Sequence, residues 1–324
     1  MNPYFVLRST CPGCGSSHCA NLRDSPYTEP PIRDYLDWYY KPVGPGVEFE
    51  YLEGAHYILD ECQECGLIFQ KEIPGAELMN RLYERWLDPE IVLKMEQSER
   101  GPGFYLGIAT EIGRVLEYLA RPPCDIVFLD YGMGWGNWCL LAKGFGCNAF
   151  GVELSDVRTA NAETMGIAVL GRNNLPRERY DFINAEQVFE HLSNPLETLN
   201  DLAKALKPGG VIRLGVPHGW DIKARLRLWD WNAKDESPNS LNAVAPLQHI
   251  NCFTIKSLRA MGLAANLHAL ELPERRTPVE TPKDLLKMAI RPLYRKLFPG
   301  ISKMRKERTG IIYFTRLSME QPAK

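Results

Sequence analysis

Four cysteines stand in two closely spaced pairs, a spacing typical of metal ligands. Cys11 and Cys14 form one pair, Cys62 and Cys65 form the other, and a glycine directly follows each pair. Two thiolates from each of two tight turns complete a tetrahedral site, and the glycine lets the backbone fold around the metal. Because four cysteines leave no open position for water, we expect a structural zinc ion. The alternative is four free, buried thiols.

A glycine-rich loop follows an apolar run in the middle of the chain. The run Ile126–Leu129 leads into Asp130 and then into the loop. Its glycines are Gly132, Gly134 and Gly136. Glycines here permit a tight turn and the close approach of a ligand to the backbone. Glu153 stands about twenty residues further on, after a second apolar run, as expected for a carboxylate that binds a ribose. Loop and carboxylate together indicate an adenosine-type cofactor, and the alternative is a purely structural turn.

The residues around this loop discriminate between cofactors. A dinucleotide fingerprint places its third glycine at position 137, where this chain has Asn137. The carboxylate of Asp130 at the mouth of the loop would repel a phosphate and attract a cation. These two features favour S-adenosylmethionine, whose amino acid part is cationic, over a dinucleotide.

Two histidines are the candidate general bases for chemistry beside that cofactor. His249 precedes a predicted helix with Thr254 as its N-cap, and His191 follows Glu190. A histidine titrates near neutral pH and can remove a proton from an acceptor. The alternative for His191 is a local hydrogen bond at a helix start. Tryptophans between positions 220 and 231 predict either an aromatic lid or the core of an insertion.

The composition is that of an ordinary globular protein. Of 324 residues, 45% are hydrophobic and 24% charged, which supplies enough apolar side chains for a sizeable core. Nine cysteines are an odd number, and we find no secretory signal or apolar run long enough to span a membrane. The sequence therefore favours metal ligation over disulfide bonds, and a cytoplasmic location.

The pattern of elements divides the chain into three parts. Residues 1–75 are rich in cysteine, proline and aromatic residues with short strand-like runs, which predicts a small zinc ribbon. Residues 76–122 show helical spacing and predict a helical connector. From 123 to 324 apolar strand runs alternate with helical stretches, which predicts an α/β domain around a parallel sheet.

A basic segment interrupts the last part. Residues 276–309 are predicted to form a helical insert. Between Lys283 and Arg308 nine basic residues oppose two acidic ones. The rest of the chain therefore carries a net charge of −9 and disfavours nucleic acid as a partner. The apolar stripe of this segment predicts either peripheral contact with an anionic membrane or an ordinary helix packed on the domain.

Three stretches resemble the class I methyltransferases. Asp130–Gly136 resembles their first motif, and Tyr180–Leu192 and Leu206–Gly210 resemble later core motifs. Residues 11–85 resemble the zinc-binding domain that precedes some family members, including enzymes of sugar and polysaccharide pathways. The resemblance implies a Rossmann-like domain with a mixed seven-stranded sheet and an antiparallel last strand.

The resemblance also implies roles for individual residues. Asp130 and the loop glycines would hold the methionine part, Glu153 the ribose, and Leu154 would flank the adenine. Asn174 would contact the adenine edge, although the family often has aspartate there. Gln187 would line the cofactor cleft. Related quinone-pathway enzymes bind a divalent metal through an acidic residue at the Gln187 position, so we expect no catalytic metal here.

The sequence therefore predicts an S-adenosylmethionine-dependent methyltransferase acting on a small molecule. The resemblance implies that the acceptor is a sugar nucleotide or a glycan-related intermediate such as a lipid-linked glycan. One alternative is an RNA methyltransferase with a nucleic-acid-binding ribbon, which the acidity of residues 24–53 disfavours. The other is a scaffold protein that binds the cofactor without turnover.

Overall fold

The structure is a computed structural model that describes residues 2–172, 175–234, 237–272 and 310–316. Asn174 and the predicted basic insert 276–309 lie outside the described residues. Among the described ranges, no helix has the length and apolar character that crossing a membrane requires.

Strands and helices alternate through most of the described chain. The strands are β1 (Phe5–Leu7), β2 (Cys19–Pro26), β3 (His56–Cys62), β4 (Ile68–Gln70), β5 (Glu72–Pro74), β6 (Val127–Tyr131), β7 (Asn148–Val152), β8 (Ala168–Leu170), β9 (Tyr180–Glu186), β10 (Leu206–Gly215), β11 (Asn251–Cys252), β12 (His268–Leu270) and β13 (Ile311–Thr315). The α-helices are α1 (Ile32–Tyr40), α2 (Ala76–Arg81), α3 (Pro89–Glu99), α4 (Pro102–Leu119), α5 (Asn137–Gly144), α6 (Asp156–Thr164), α7 (Pro195–Ala205), α8 (Ile222–Leu228) and α9 (Ile255–Ala264).

Seven strands form one sheet in the order β12-β13-β10-β9-β6-β7-β8. The five strands β6 to β10 are parallel to one another. Strand β13 lies between β10 and β12 and is antiparallel to both. The predicted mixed seven-stranded α/β fold with an antiparallel last strand is therefore confirmed. Because β6, β7 and β9 are adjacent and parallel, the loops after all three strands meet at one edge of the sheet.

Capping residues explain where two helices between residues 76 and 119 begin. The side chain of Asp88 caps α3 by accepting hydrogen bonds from the backbone N–H groups of Glu90 and Ile91. Gly101 precedes α4, which has proline at its first position and buries Ile108 and Ile112 on one face. A π-helical turn at Leu82–Trp86, which the sequence does not predict, joins α2 to the following loop.

A second, four-stranded sheet holds the cysteine pairs at its end. Its order is β11-β4-β3-β2, and all of its pairs are antiparallel. Strand β11 comes from residues far beyond the predicted 1–75 module, and it pairs with β4 through Asn251 and Cys252. The ribbon and the α/β part thus share a sheet as well as a hydrophobic core that includes Leu67 and Phe253.

Aromatic residues fill a further core beside the small sheet. Trp231 is buried and packs against Tyr35 and Tyr57, with ring centres 4.8 and 5.8 Å away. Trp229 contacts Trp231 at 5.4 Å. Of the two sequence interpretations, these two tryptophans follow the second, because they belong to the core of an insertion.

Candidate cofactor and acceptor site

The glycine-rich loop leaves β6 with a tight turn. Gly132, Gly134 and Gly136 have φ angles of 73°, 53° and 77°, in the left-handed region that favours glycine. A Cβ at Gly132 would lie 2.5 Å from Val188, so the loop packs closely on the segment after β9. A Cβ at Gly134 would meet no atom within 4 Å. The backbone of Gly134 is therefore open to a ligand.

Glu153 joins this loop to the segment that follows β7. One of its oxygens accepts a hydrogen bond from the N–H of Gly134 at 2.9 Å. The other accepts from the N–H groups of Leu154 and Ser155 at 2.8 and 3.0 Å. Leu154 is 71% exposed, so an apolar side chain lies free at the edge of the site. The carboxylate and the loop thus lie together, as the sequence predicts.

Asp130 lies buried at the end of β6. Its Oδ1 accepts a hydrogen bond from the amide of Asn184 at 2.8 Å, and its Oδ2 has no partner among the described residues. Arg213 in turn donates to Oδ1 of Asn184 at 3.0 Å, which orients the amide. Burial raises the pKa of Asp130 to about 7. A buried carboxylate with one free oxygen fits a cationic ligand group that would hold it ionised.

Gln187 directly follows β9, next to the end of β6. It has a positive φ of 54°, and its N–H donates to the carbonyl of Gly215 at 2.7 Å. A non-glycine residue in this conformation at the end of a central strand is typical of a functional site. The cofactor role of Gln187 stays a prediction.

His191 and His249 lie against each other, with ring centres 4.9 Å apart. Nδ1 of His191 donates to the carbonyl of Gln248 at 3.0 Å, and Nδ1 of His249 donates to the carbonyl of Asn242. Because a carbonyl can only accept, both Nδ1 atoms carry the proton in neutral rings, and both Nε2 atoms have a free lone pair. Removal from water lowers the pKa of His191 to about 3 and that of His249 to about 4.

Two further residues complete this cluster. Glu190 is fully buried, and neither carboxyl oxygen has a partner among the described residues. Its Oε1 lies 3.8 Å from Nε2 of His191, and burial raises its pKa to about 8. The hydroxyl of Tyr83 lies 3.0 Å from Nδ1 of His191. Glu190, His191 and His249 thus form a cluster of titratable side chains, with the carboxyl group fully buried and the two rings partly buried, and their ligand atoms lie within 4.8 Å of one another.

The four paired cysteines also lie together. Their Sγ atoms are within 4.8 Å of one another, with 3.6 Å between Cys11 and Cys65 and 3.5 Å between Cys14 and Cys62. Zinc–sulfur bonds of about 2.3 Å in tetrahedral geometry place sulfurs about 3.8 Å apart. The arrangement therefore fits four thiolates on one metal ion.

The chain matches a family of known proteins. The family described as a methyltransferase domain matches residues 107–272, just over half of the chain. This chain belongs to the methyltransferase-domain family.

The matched relatives include trans-aconitate 2-methyltransferases. The protein from Escherichia coli O157:H7 (strain EC4115 / EHEC) is 28% identical in an alignment of 161 residues that covers 45% of this chain and 64% of that protein. The protein from Shigella dysenteriae serotype 1 (strain Sd197) is 27% identical, and the alignment again covers 45% of this chain and 64% of that protein. The match thus spans less than two thirds of these relatives.

Two solved structures of S-adenosylmethionine-dependent methyltransferases are also similar to this chain. The one from Mesorhizobium loti is 16% identical with a TM-score of 0.40, over 62% of this chain and 95% of that chain. The one from Archaeoglobus fulgidus is 15% identical with a TM-score of 0.37, over 74% of this chain and 99% of that chain.

The methyltransferase domain places the predicted site residues in two groups. Asp130, the loop glycines, Glu153 and Leu154 lie together at the ends of β6 and β7, while His191 and His249 lie together beyond Val188. Sequence reasoning missed Asn184, Glu190 and Tyr83 as members of the site. Glu190 precedes a candidate base directly and offered a signal, whereas Tyr83 lies 108 positions before His191 in the chain and offered none.

Proposed function

We propose that this chain transfers a methyl group from S-adenosylmethionine to a small-molecule acceptor. The observation that carries the proposal is the bridge from Glu153 to Gly134 beside the free oxygen of Asp130. This cofactor requires an acceptor for its ammonium group, space beside the backbone and a carboxylate for its ribose. Asp130, Gly134 and Glu153 offer these three features.

Each residue on the cofactor side has a proposed role. Oδ2 of Asp130 accepts a hydrogen bond from the ammonium of the methionine part, and the glycine loop admits that part to the backbone. Glu153 accepts hydrogen bonds from the ribose hydroxyls, and Leu154 covers one face of the adenine. The resemblance assigns the adenine edge to Asn174, which lies outside the described residues, and the remaining wall of the cleft to Gln187. When bound, the cofactor supplies an electrophilic methyl group on sulfur.

The histidine pair receives the proton of the acceptor. His249 is the proposed general base, because its Nε2 lone pair is free and its ring is fixed by the bond to Asn242. His191 and Glu190 accept hydrogen bonds on the same side. Both histidines are neutral at physiological pH because their pKa values lie near 3 and 4, so the lone pairs remain available.

The proposed acceptor is a small molecule that bears either a hydroxyl, whose proton a base removes, or a carboxylate, which is already ionised at neutral pH. The resemblance to sugar-pathway enzymes supports a sugar nucleotide or glycan-related intermediate, and the relatives' name supports a carboxylic acid. The acidic residues of the small sheet, such as Asp24 and Glu61, disfavour RNA.

The cysteine cluster is proposed to hold a structural zinc ion. Four thiolates close the coordination shell, so that the ion binds no substrate and contributes folding energy to the small sheet.

The experiment is transfer of labelled methyl groups from S-adenosylmethionine, with trans-aconitate and a panel of sugar nucleotides as acceptors. We expect label in one of these two classes of acceptor. Binding of the cofactor without transfer to either class would favour the scaffold alternative.

A further inference from the structure

Three side chains around the cofactor loop each have a buried polar atom without a hydrogen-bond partner among the described residues. They are Nε1 of Trp135, Oγ of Ser155 and Nε of Arg158. All three atoms can donate a hydrogen bond. Glu153 holds the two segments together, because its carboxylate accepts from the backbone of Gly134 and of Ser155. Buried donors without partners are costly, so either water or a ligand satisfies them. Three such donors close together around one loop form a polar surface that a ligand could occupy.

Arg158 adds a positive charge to this group. It lies in the first turn of α6, with its guanidinium 5.6 Å from the centre of the Trp135 ring. Within the described part of the chain, no carboxylate pairs with it. A guanidinium that is half-buried and lacks a counterion fits an oxyanion, which it binds through two parallel hydrogen bonds.

Arg158 lies near the histidine cluster as well as near the glycine loop, so it can contact the acceptor and not only the adenosine. The loop that carries Trp135 packs on Val188, three residues before His191. The charge of Arg158 also contributes, after burial and the neighbouring His249, to the low pKa of His191, and it acts on Tyr83 as well. Such influence requires proximity, because charge interactions weaken with distance.

We propose that Arg158, assisted by Trp135 and Ser155, binds an oxyanion of the acceptor, either a carboxylate or a phosphate. This inference rests on the proposed function and names its substrate class. The acceptor carries an anionic group for Arg158, and His249 receives the proton where the nucleophile of the acceptor is a hydroxyl. Donors on one side and lone-pair acceptors on the other thus orient one molecule between them.

The test measures anion binding without any need for turnover. The protein is saturated with S-adenosylhomocysteine and heated with increasing trans-aconitate or inorganic pyrophosphate, at an ionic strength matched with sodium chloride. A bound anion raises the melting temperature by mass action. We expect one of the two anions to do so, and the one that acts identifies carboxylate or phosphate as the source. If neither raises it, the proposal is wrong.

Variants assign the effect to Arg158. In Arg158→Gln the anion concentration needed for half of the temperature shift should rise about tenfold or more, as expected for loss of a charged hydrogen-bond pair. The matched control is Arg177→Gln, which removes an exposed arginine and should behave like the wild type. Trp135→Phe keeps an aromatic side chain and removes one N–H donor. It should weaken anion binding by a smaller factor than Arg158→Gln does. An unchanged response in Arg158→Gln would overturn the proposal.

Cofactor affinity separates this inference from the proposed function. We expect Arg158→Gln to bind S-adenosylhomocysteine within about twofold of the wild type, because the acceptor supplies the anion. If cofactor affinity falls tenfold while the anion response persists, Arg158 binds the methionine carboxylate and the inference fails, whereas the proposed function stands.

Discussion

At the scale of single residues, the proposed acceptor side is the cluster of His191, His249 and Glu190, and its chemistry depends on where the protons lie. Two backbone carbonyls fix the Nδ1 protons of His191 and His249, so that both Nε2 atoms are free to accept. Glu190 lies beside them with no hydrogen-bond partner among the described residues. Burial keeps the histidines neutral and holds Glu190 protonated up to a pH of about 8. A proton taken from an acceptor therefore has a neutral imidazole to receive it.

This arrangement predicts the effect of removing His249. In His249→Ala, turnover should fall about 100-fold, the usual contribution of a positioned base, while affinity for S-adenosylhomocysteine remains. Steady-state kinetics and calorimetry measure the two quantities. His268→Ala, which removes an exposed histidine, is the control and should keep full turnover. Normal turnover in His249→Ala with collapse in His191→Ala would exchange the two roles.

At the scale of elements, the cysteine-bearing sheet supports the acceptor side. Strand β11 joins that sheet directly after His249, and the side chain of Asn251 donates to the carbonyls of Phe189 and Leu192 around His191. Arg8 of the N-terminal segment donates to Asn251 and to the carbonyl of Leu192. The small sheet therefore positions the segments that carry both histidines. The loop at the end of β6 depends on other strands.

These contacts predict that loss of the metal affects turnover more than cofactor binding. Cys62→Ser should lose zinc and unfold the small sheet, lowering turnover at least about tenfold, while affinity for S-adenosylhomocysteine changes little. Elemental analysis, circular dichroism and calorimetry follow the three effects. Cys124→Ser, an exposed cysteine outside the cluster, should match the wild type. A metal-free Cys62→Ser protein with an intact sheet would contradict the assignment of the four cysteines.

The same elements show what the sequence could predict. Asp130, the loop glycines and Glu153 follow apolar strand runs at informative spacings, so their meeting at one sheet edge was predictable. The pairing of β11 with β4 was not, because two residues carry no strand signal and the partner lies far away in the chain. Tyr83 was missed because it reaches His191 from a π-helical turn, for which no local pattern exists.

At the scale of the whole molecule, the fold brings two kinds of polar group to one edge of the large sheet. The carboxylates of Asp130 and Glu153 and the open backbone of Gly134 follow β6 and β7, and they fit a cationic nucleoside. The free ring nitrogens of His191 and His249 follow β9 and precede β11, and they fit an acceptor that gives up a proton. Strand order brings together the residues that follow β6, β7 and β9, because β6 lies between β7 and β9. The small sheet adds His249 through the segment that leads into β11. The central claim is therefore that S-adenosylmethionine binds at the bridge between Gly134 and Glu153.

Isothermal titration with S-adenosylhomocysteine tests that claim most directly, using the wild type, Glu153→Gln and the exposed control Glu163→Gln. We predict saturable binding by the wild type and by Glu163→Gln, with affinity reduced by about 1 to 3 kcal/mol in Glu153→Gln because its hydrogen bonds to the ribose weaken. Absence of binding by the wild type at millimolar ligand, or equal affinity in all three proteins, would contradict the account.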